Sequence, residues 1–317
     1  MRAVFLDRSS ISEDIDLSPI ESQVANISYF EHTRAEKVVF RAKFAEIILT
    51  NKVVINAETI AQLPKLKLIC ICATGTNNVD LTAAKAANIA VCNVSGYSTS
   101  AVSQYVFAML LEYFQKTAHY IENTRQGNWQ QSQVFCHFGL PISELAHKNI
   151  AIIGNGTIGR AVASIAQAFS MNVLLAERQG CTTIRADRVS FEHAIQQADI
   201  ISLHAPLTAE TQGLINNQTI AQMKKGVVII NTARGGLINS DDLLQGLKSK
   251  KVGAAILDVL EQEPPPADHP LLNVKLDNLL ITAHIAWGSL ESQQRLINSL
   301  AKNIESFQQG INLNRVV

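Results

Sequence analysis

The chain has 317 residues, 47% hydrophobic and 17% charged, with a mean hydropathy of +0.11. It therefore carries enough apolar material for two domains or one large α/β domain, and too much to be disordered. Its 27 Lys and Arg balance 27 Asp and Glu, giving a pI near 7.1; this excludes a polybasic nucleic-acid binder, and no apolar run approaches the roughly 20 residues of a membrane-crossing helix.

Met1 to Asp7 reads as a first strand rather than a leader peptide, which makes a cytoplasmic location the expectation. Short apolar runs alternating with helical stretches then predict βαβ units and parallel sheets. In the first third, strands are expected at residues 3–6, 46–49, 68–72 and 90–93, and helices at 34–44, 58–63 and 81–87. A long amphipathic helix follows over 98–126, with Val102, Val106, Phe107, Leu110, Leu111 and Phe114 at helical spacing. After a polar stretch over 127–143, a second series of strands is expected at 150–153, 173–176, 200–204, 227–231, 254–258 and 279–282. Pro264-Pro265-Pro266 makes one stiff loop. The five cysteines, Cys70, Cys72, Cys92, Cys136 and Cys181, lack both zinc-site spacing and disulfide-scaffold density. Cys70 and Cys72 share one side of a strand and read as buried reduced thiols, and no metal is expected.

Ile150-Ala151-Ile152-Ile153 runs directly into Gly154-Asn155-Gly156-Thr157-Ile158-Gly159, with a helix after it. A bare G-x-G-x-x-G is weak evidence, but here it has a strand before it and a helix behind, as a dinucleotide site requires. The first glycine permits the tight turn, the second lets a pyrophosphate approach the backbone, and the third lets helix and strand pack closely. The next strand ends in Glu177, 18 residues after Gly159, where an acid accepts hydrogen bonds from the adenosine ribose. Its charge repels a 2′-phosphate and favours NAD(H) over NADP(H); Arg178 beside it is the counter-signal, able to pair with that phosphate.

Three further groups stand just past apolar strands: Arg234, Glu263 and His284. In an open parallel sheet the carboxyl ends of the strands converge on the ligand crevice. An arginine grips a carboxylate with two hydrogen bonds. A histidine braced by a carboxylate presents one ring nitrogen to a substrate. Together such groups can protonate a carbonyl oxygen while hydride reaches its carbon. Each alone also fits a surface cation, a loop charge and a structural histidine; the combination with the glycine loop makes the case.

With these residues in view, the chain resembles the D-2-hydroxyacid dehydrogenase family, and within it the glycerate dehydrogenase / hydroxypyruvate reductase branch. The stretches that carry the resemblance cover nearly the whole length. They are Ala73-Thr74-Gly75-Thr76-Asn77-Asn78-Val79-Asp80, Asn93-Val94-Ser95-Gly96-Tyr97-Ser98-Thr99, the glycine loop, His204-Ala205-Pro206-Leu207-Thr208, Asn231-Thr232-Ala233-Arg234-Gly235-Gly236, Asp258-Val259-Leu260-Glu261-Gln262-Glu263-Pro264 and His284-Ile285-Ala286-Trp287. The resemblance implies a catalytic trio of Arg234, Glu263 and His284. It implies cofactor contacts at Thr76, Gly154, Gly156, Thr157, Ile158, Gly159, Glu177, Arg178, Ala205, Pro206, Thr232, Ala233, Arg234, Asp258, His284 and Gly288, with Asp258 helping to hold the nicotinamide carboxamide. Substrate contacts are implied at Lys52, Gly75, Thr76, Arg234 and His284; a solvated loop lysine is the competing reading of Lys52. His204 reads as structural or cofactor-adjacent.

The fold implied is α/β: two Rossmann-like parallel-sheet domains with a cleft between them. One is a flavodoxin-like substrate domain (1–97 and 290–317) and the other an NAD-binding Rossmann domain (98–289). The resemblance also implies a homodimer and no extra regulatory domain. The sequence departs from the family at His147-Lys148, where Gly-Lys is usual, at Ala151 for a glycine, and at Ala283 for a proline. The activity implied is NAD(H)-dependent reduction of a small 2-oxo acid, hydroxypyruvate or glyoxylate, with no nucleic-acid or membrane partner. The competing reading is an NAD-sensing protein like the corepressors built on this fold; formate dehydrogenase, with an amide where Glu263 stands, fits less well.

Overall fold

A computed structural model describes residues 1–317. In chain order the elements are β1 (Arg2–Phe5), α1 (Ser18–Glu21), β2 (Asn26–Tyr29), α2 (Val38–Ala42), β3 (Ile47–Thr50), α3 (Ala57–Ala61), β4 (Leu68–Ile71), α4 (Leu81–Ala86) and β5 (Ala90–Cys92). Then come α5 (Thr99–Gln115), α6 (Thr117–Arg125), β6 (Asn149–Ile153), α7 (Thr157–Ala168), β7 (Asn172–Ala176), α8 (Phe191–Gln197) and β8 (Ile200–Leu203). The last are α9 (Asn217–Gln222), β9 (Val227–Asn231), α10 (Ser240–Lys248), β10 (Val252–Leu257), β11 (Leu279–Ile281) and α11 (Leu290–Gln308). No helix is long and apolar enough to cross a membrane.

The chain divides into two compact units, Met1–Ser98 with Trp287–Val317, and Thr99–Ala286. The sequence predicts Ser98 and residues 287–289 in the second unit. Trp287 instead packs edge-on against Tyr97, with ring centroids 6.2 Å apart, which draws the segment before α11 into the first unit.

The first unit holds a five-stranded parallel sheet in the order β2-β1-β3-β4-β5, the flavodoxin-like order. Alternate residues of β1, and Leu6 just past it, enter different cores. Ala3 and Phe5 join Leu296, Ile297 and Leu300 of α11, while Val4 and Leu6 join Val38, Ile60 and Leu63. Burial on both faces explains why β1, β3 and β4 read as continuous apolar runs. β2 went unpredicted because it is an edge strand of half-exposed residues without such a run. The helix expected over 34–44 shrinks to α2 after a 3-10 turn at Ala35–Lys37, leaving Phe40 and Phe44 exposed.

The second unit has a six-stranded parallel sheet, β11-β10-β9-β8-β6-β7, again doubly wound. Its strand order reverses at β6, so the switch point lies between β6 and β8. Ala151 and Ile153 face one core, and Ile150 and Ile152 the other, where Val106, Phe107 and Leu110 of α5 pack with Val162 and Ala166 of α7. The single helix expected over 98–126 is two. Lys116 adopts a left-handed φ of 54°, and the Glu112 carboxylate accepts from the Ala118 amide (3.2 Å) and the Thr117 hydroxyl, capping α6. His147, where the resemblance leads one to expect glycine, takes φ 64° itself, a conformation histidine tolerates better than most side chains.

Candidate active site

The glycine loop sits at the switch point of the second unit, and its three glycines meet three different constraints. Gly154 has φ 101°, and a Cβ there would lie 2.6 Å from the backbone of His204 and Ala205. Gly159 is pressed against the chain, where a Cβ would come 2.1 Å from the Gly154 carbonyl oxygen. Gly156, by contrast, faces open space, with nothing within 4 Å of a Cβ. This is the pattern a dinucleotide loop needs: a tight turn, room for a pyrophosphate, and close helix–strand packing. Thr157 and Ile158 open α7, and the Asn155 and Gly156 amides before them make no hydrogen bond within the protein. Two buried polar atoms, Asn155 Oδ1 and Thr232 Oγ1, have no partner, an unusual condition in a folded interior that a bound polar ligand would relieve. The residues present therefore fit a dinucleotide.

At the far end of β8, Ala205 and Pro206 continue from His204. Burial pushes the His204 imidazole down to about 4, and its Nε2 lies 2.8 Å from Ser202 Oγ. The neutral ring has a local partner, as a structural role requires. Glu177 departs from its expected use. Its carboxylate is 4% exposed and is gripped by Arg185, with Nε to Oε2 at 2.6 Å and Nη2 to Oε1 at 2.5 Å. Arg178 is exposed beside it.

Three loops at the carboxyl ends of β9, β10 and β11 carry the remaining candidates. After β9, the fully buried Asn231 ties the turn by accepting from the Ala233 amide (3.0 Å) and donating to the Arg234 carbonyl (2.8 Å). This fixes Thr232, Ala233 and Arg234; one Arg234 nitrogen donates to the Ala233 carbonyl at 2.6 Å. Gly235 lets this loop lie against the next one, because a Cβ there would fall 1.8 Å from the Leu260 carbonyl carbon. In that next loop Glu263 folds back, its Oε1 accepting from the Leu260 amide at 3.0 Å, while its Oε2 lies 2.6 Å from His284 Nδ1. Arg234, Glu263 and His284 thus stand on contiguous loops, although distant in sequence.

His284 itself has φ 55°, a left-handed backbone that a side chain rarely adopts. Asp258 explains how it is held. The His284 amide donates to the Asp258 carbonyl (2.8 Å). The buried Asp258 carboxylate accepts from Thr282 Oγ1 (2.6 Å), the Ile285 amide (2.8 Å) and the Ala286 amide (2.8 Å). The Thr282 hydroxyl also lies 2.5 Å from Tyr105 Oη of α5. Asp258, expected to hold a carboxamide, is therefore first a clamp on the histidine loop. Thr282 and Tyr105 were not anticipated, since neither carries a charge nor belongs to a motif.

Lys52, Gly75, Thr76 and Gly288 belong to the first unit. There the buried Asp7, just past β1, accepts from the Asn51 amide (2.9 Å) and the Lys52 amide (2.7 Å), fixing the turn after β3. Asp7 was missed, although it stands past a strand end as Arg234 does. After β4, Thr74 Oγ1 donates to the Val94 carbonyl (2.8 Å) and Asn93 Nδ2 to the Thr74 carbonyl (2.7 Å). The Gly75 and Thr76 amides beyond are left without protein acceptors, a donor pair suited to a carboxylate. Gly288 accepts from Gln293 Nε2 at 2.7 Å, at the start of α11.

The clamp is testable directly. Asp258→Ala removes three hydrogen bonds to a charged acceptor, each worth about 1.5–3 kcal/mol. Amide exchange at Ile285 and Ala286 should then speed up by about tenfold or more relative to β9. Unchanged protection of those two amides would show that Asp258 does not hold the loop.

Residues 107–286 match the model of the D-isomer specific 2-hydroxyacid dehydrogenase NAD-binding domain. The chain is 38% identical to a glycerate dehydrogenase of Methylorubrum extorquens, covering 98% of this chain and 96% of the relative. It is 37% identical to a hydroxypyruvate reductase of Blautia hydrogenotrophica, covering 100% and 99%. Among solved structures, an acyclic imino acid reductase in complex with NADPH and D-arginine superposes with a TM-score of 0.84 at 28% identity, covering 100% of both chains. The chain belongs to the D-2-hydroxyacid dehydrogenase family and is an oxidoreductase with an NAD-binding Rossmann domain.

Proposed function

We propose that this protein reversibly reduces a small 2-oxo acid to the D-2-hydroxy acid, with hydroxypyruvate/D-glycerate and glyoxylate/glycolate as the substrate pairs. The observation that carries the reading is the 2.6 Å His284–Glu263 hydrogen bond on loops packed beside the Arg234 turn. The names of the glycerate dehydrogenase and hydroxypyruvate reductase relatives support the choice of acid.

When bound, the reduced dinucleotide supplies hydride to the carbonyl carbon. Gly154, Gly156, Thr157, Ile158 and Gly159 would hold its pyrophosphate, with Ala205, Pro206, Thr232 and Ala233 along the same strand ends. Arg234 grips the substrate carboxylate and polarises the ketone through the guanidinium nitrogens that Ala233 does not occupy. His284 offers Nε2 to the carbonyl oxygen, donates a proton as the alkoxide forms, and takes it back in the reverse direction. Glu263 accepts from Nδ1, which fixes the tautomer and pairs with the imidazolium whenever the ring is charged. In the first unit, the free Gly75 and Thr76 amides and Lys52 are assigned to the substrate's carboxylate, with Thr76 also touching the cofactor; Gly288 is assigned to the cofactor.

The chain is further read as a homodimer. Behind α6, Phe135 and Phe138 are 91% and 75% exposed, with Trp129 and Val134 half-exposed or more, an apolar surface that suits burial against a second copy. The five free cysteines accord with a cytoplasmic setting.

The reading is checked by following oxidation of reduced cofactor with hydroxypyruvate, glyoxylate and pyruvate. Turnover of many per second on the first two is expected; cofactor binding without turnover would instead make the protein a dinucleotide sensor. His284→Ala should lower kcat by about 10²–10⁴-fold, the span of a lost general acid, and Arg234→Lys should also be crippled, because an ammonium cannot reproduce a two-point grip. Near-normal turnover in either variant contradicts its assigned role. Light scattering should read twice the 34.6 kDa chain mass; a monomer would refute the dimer.

A further inference from the structure

The carboxylate that braces His284 sits on a long irregular connection. No helix or strand forms between Leu257, the last residue of β10, and Leu279, the first of β11. A connection of this length keeps one shape only where specific contacts offset its conformational entropy. Leu260 and Leu271 are buried in the core of the second unit and hold the stretch between them at its two ends. Inside that stretch Pro264, Pro265, Pro266, Ala267 and Asp268 are exposed. The turn that carries Glu263 therefore needs a further anchor.

That anchor is a second glutamate–histidine pair in the same turn. Glu261 and Glu263, two residues apart, reach different histidines: Glu263 Oε2 meets His284 Nδ1, and Glu261 Oε2 meets His269 Nε2 at 3.3 Å. His269 is only 6% exposed. Its Nδ1 accepts from the Leu271 amide at 3.3 Å, which leaves the ring proton on Nε2, toward Glu261. Its backbone is engaged as well: the amide donates to the Pro266 carbonyl (3.1 Å), and the carbonyl accepts from the Leu272 amide (3.0 Å) and Asn273 Nδ2 (3.3 Å). The other Glu261 oxygen, Oε1, accepts from the Ser240 hydroxyl (2.5 Å) and amide (3.2 Å). Ser240 is the first residue of α10, where the helix dipole favours a negative charge. Gly235 closes the remaining side, since a Cβ there would lie 2.3 Å from the Glu261 amide nitrogen.

We infer that His269 is a positioning residue for the reaction: through Glu261 it ties the turn that carries Glu263 to the amino end of α10, and so fixes Glu263 against His284. The inference rests on the acid–base reading of His284 and goes beyond it. As a source of stability the latch is weak, because the Glu261 side chain is 34% exposed and its pairing is screened by water. Its value is geometric. The 2.6 Å contact between Glu263 and His284 tolerates little displacement of the turn, and the turn is held by the Arg234 loop on one side and by His269 and Ser240 on the other.

Two measurements on the full chain test this together. Proton NMR of the cofactor-free protein follows the His284 Nδ1–H, assigned by its loss in His284→Gln. In His269→Leu, which keeps an apolar bulk and loses both ring nitrogens, that proton should exchange with water about tenfold faster, the worth of one charge-assisted contact, while the amides of β9 keep their protection. Turnover of hydroxypyruvate by the same variant should fall about tenfold to a hundredfold in kcat, the cost of a small misplacement at the chemistry, with KM for the reduced cofactor unchanged. His269→Gln, which keeps a donor and an acceptor, should restore most of both. Should His269→Leu fail to fold, Ser240→Ala, which releases the other oxygen of Glu261, should give the same two changes in smaller measure. Unchanged exchange of the His284 proton in a folded variant overturns the latch and leaves the acid–base reading standing. Faster exchange with unchanged kcat overturns the acid–base reading, and with it the part of His269 in the reaction.

Discussion

The hydrogen bond between His284 Nδ1 and Glu263 Oε2 joins loops that leave two different strands, β10 and β11, and it survives only if both loops are held against thermal motion. His284 adopts a left-handed backbone, which costs on the order of 1 kcal/mol or more and persists only where its surroundings over-determine it. Asp258 supplies that constraint from the end of β10, with its carbonyl and both carboxylate oxygens engaged by the segment from Thr282 to Ala286. On the other side, Glu263 is pinned to the Leu260 amide, and Gly235 allows the Arg234 turn to press against Leu260. A flexible arrangement of the same groups would forfeit most of the benefit of orientation.

Both units place their chemistry by the same rule. In each parallel sheet the groups of interest leave the carboxyl ends of strands, and the order reverses at a switch point where two adjacent loops diverge. In the first unit, Asp7 after β1 fixes the turn after β3. In the second, Gly154 after β6 lies against the backbone after β8. Loops at such points are anchored by short, specific contacts, so single residues carry disproportionate weight.

The strands were legible because burial on both faces of β3, β4, β6 and β9 leaves a continuous apolar run between turn residues. β2 was not, since an edge strand needs no such run. The break between α5 and α6 was hidden for another reason: it depends on where the Glu112 carboxylate reaches, and no glycine or proline marks it. At the site, the glycine loop and the strand-end charges could be read from position. Their supports could not: Asn231, Tyr105 and Thr282 are uncharged, and their value arises only once the chain has folded. Arg185 was overlooked because its relation to Glu177 crosses an irregular loop with no fixed period.

The carboxylate-braced imidazole is best tested on the ring itself. Nitrogen-15 NMR of the histidines, with His284 assigned by comparison with His284→Gln, reports which ring nitrogen carries the proton once the imidazole is neutral. The account predicts the Nδ1–H tautomer, with Nε2 left open to a substrate, and a shift away from it in Glu263→Gln. A neutral His284 protonated on Nε2 in the unmodified protein would contradict it.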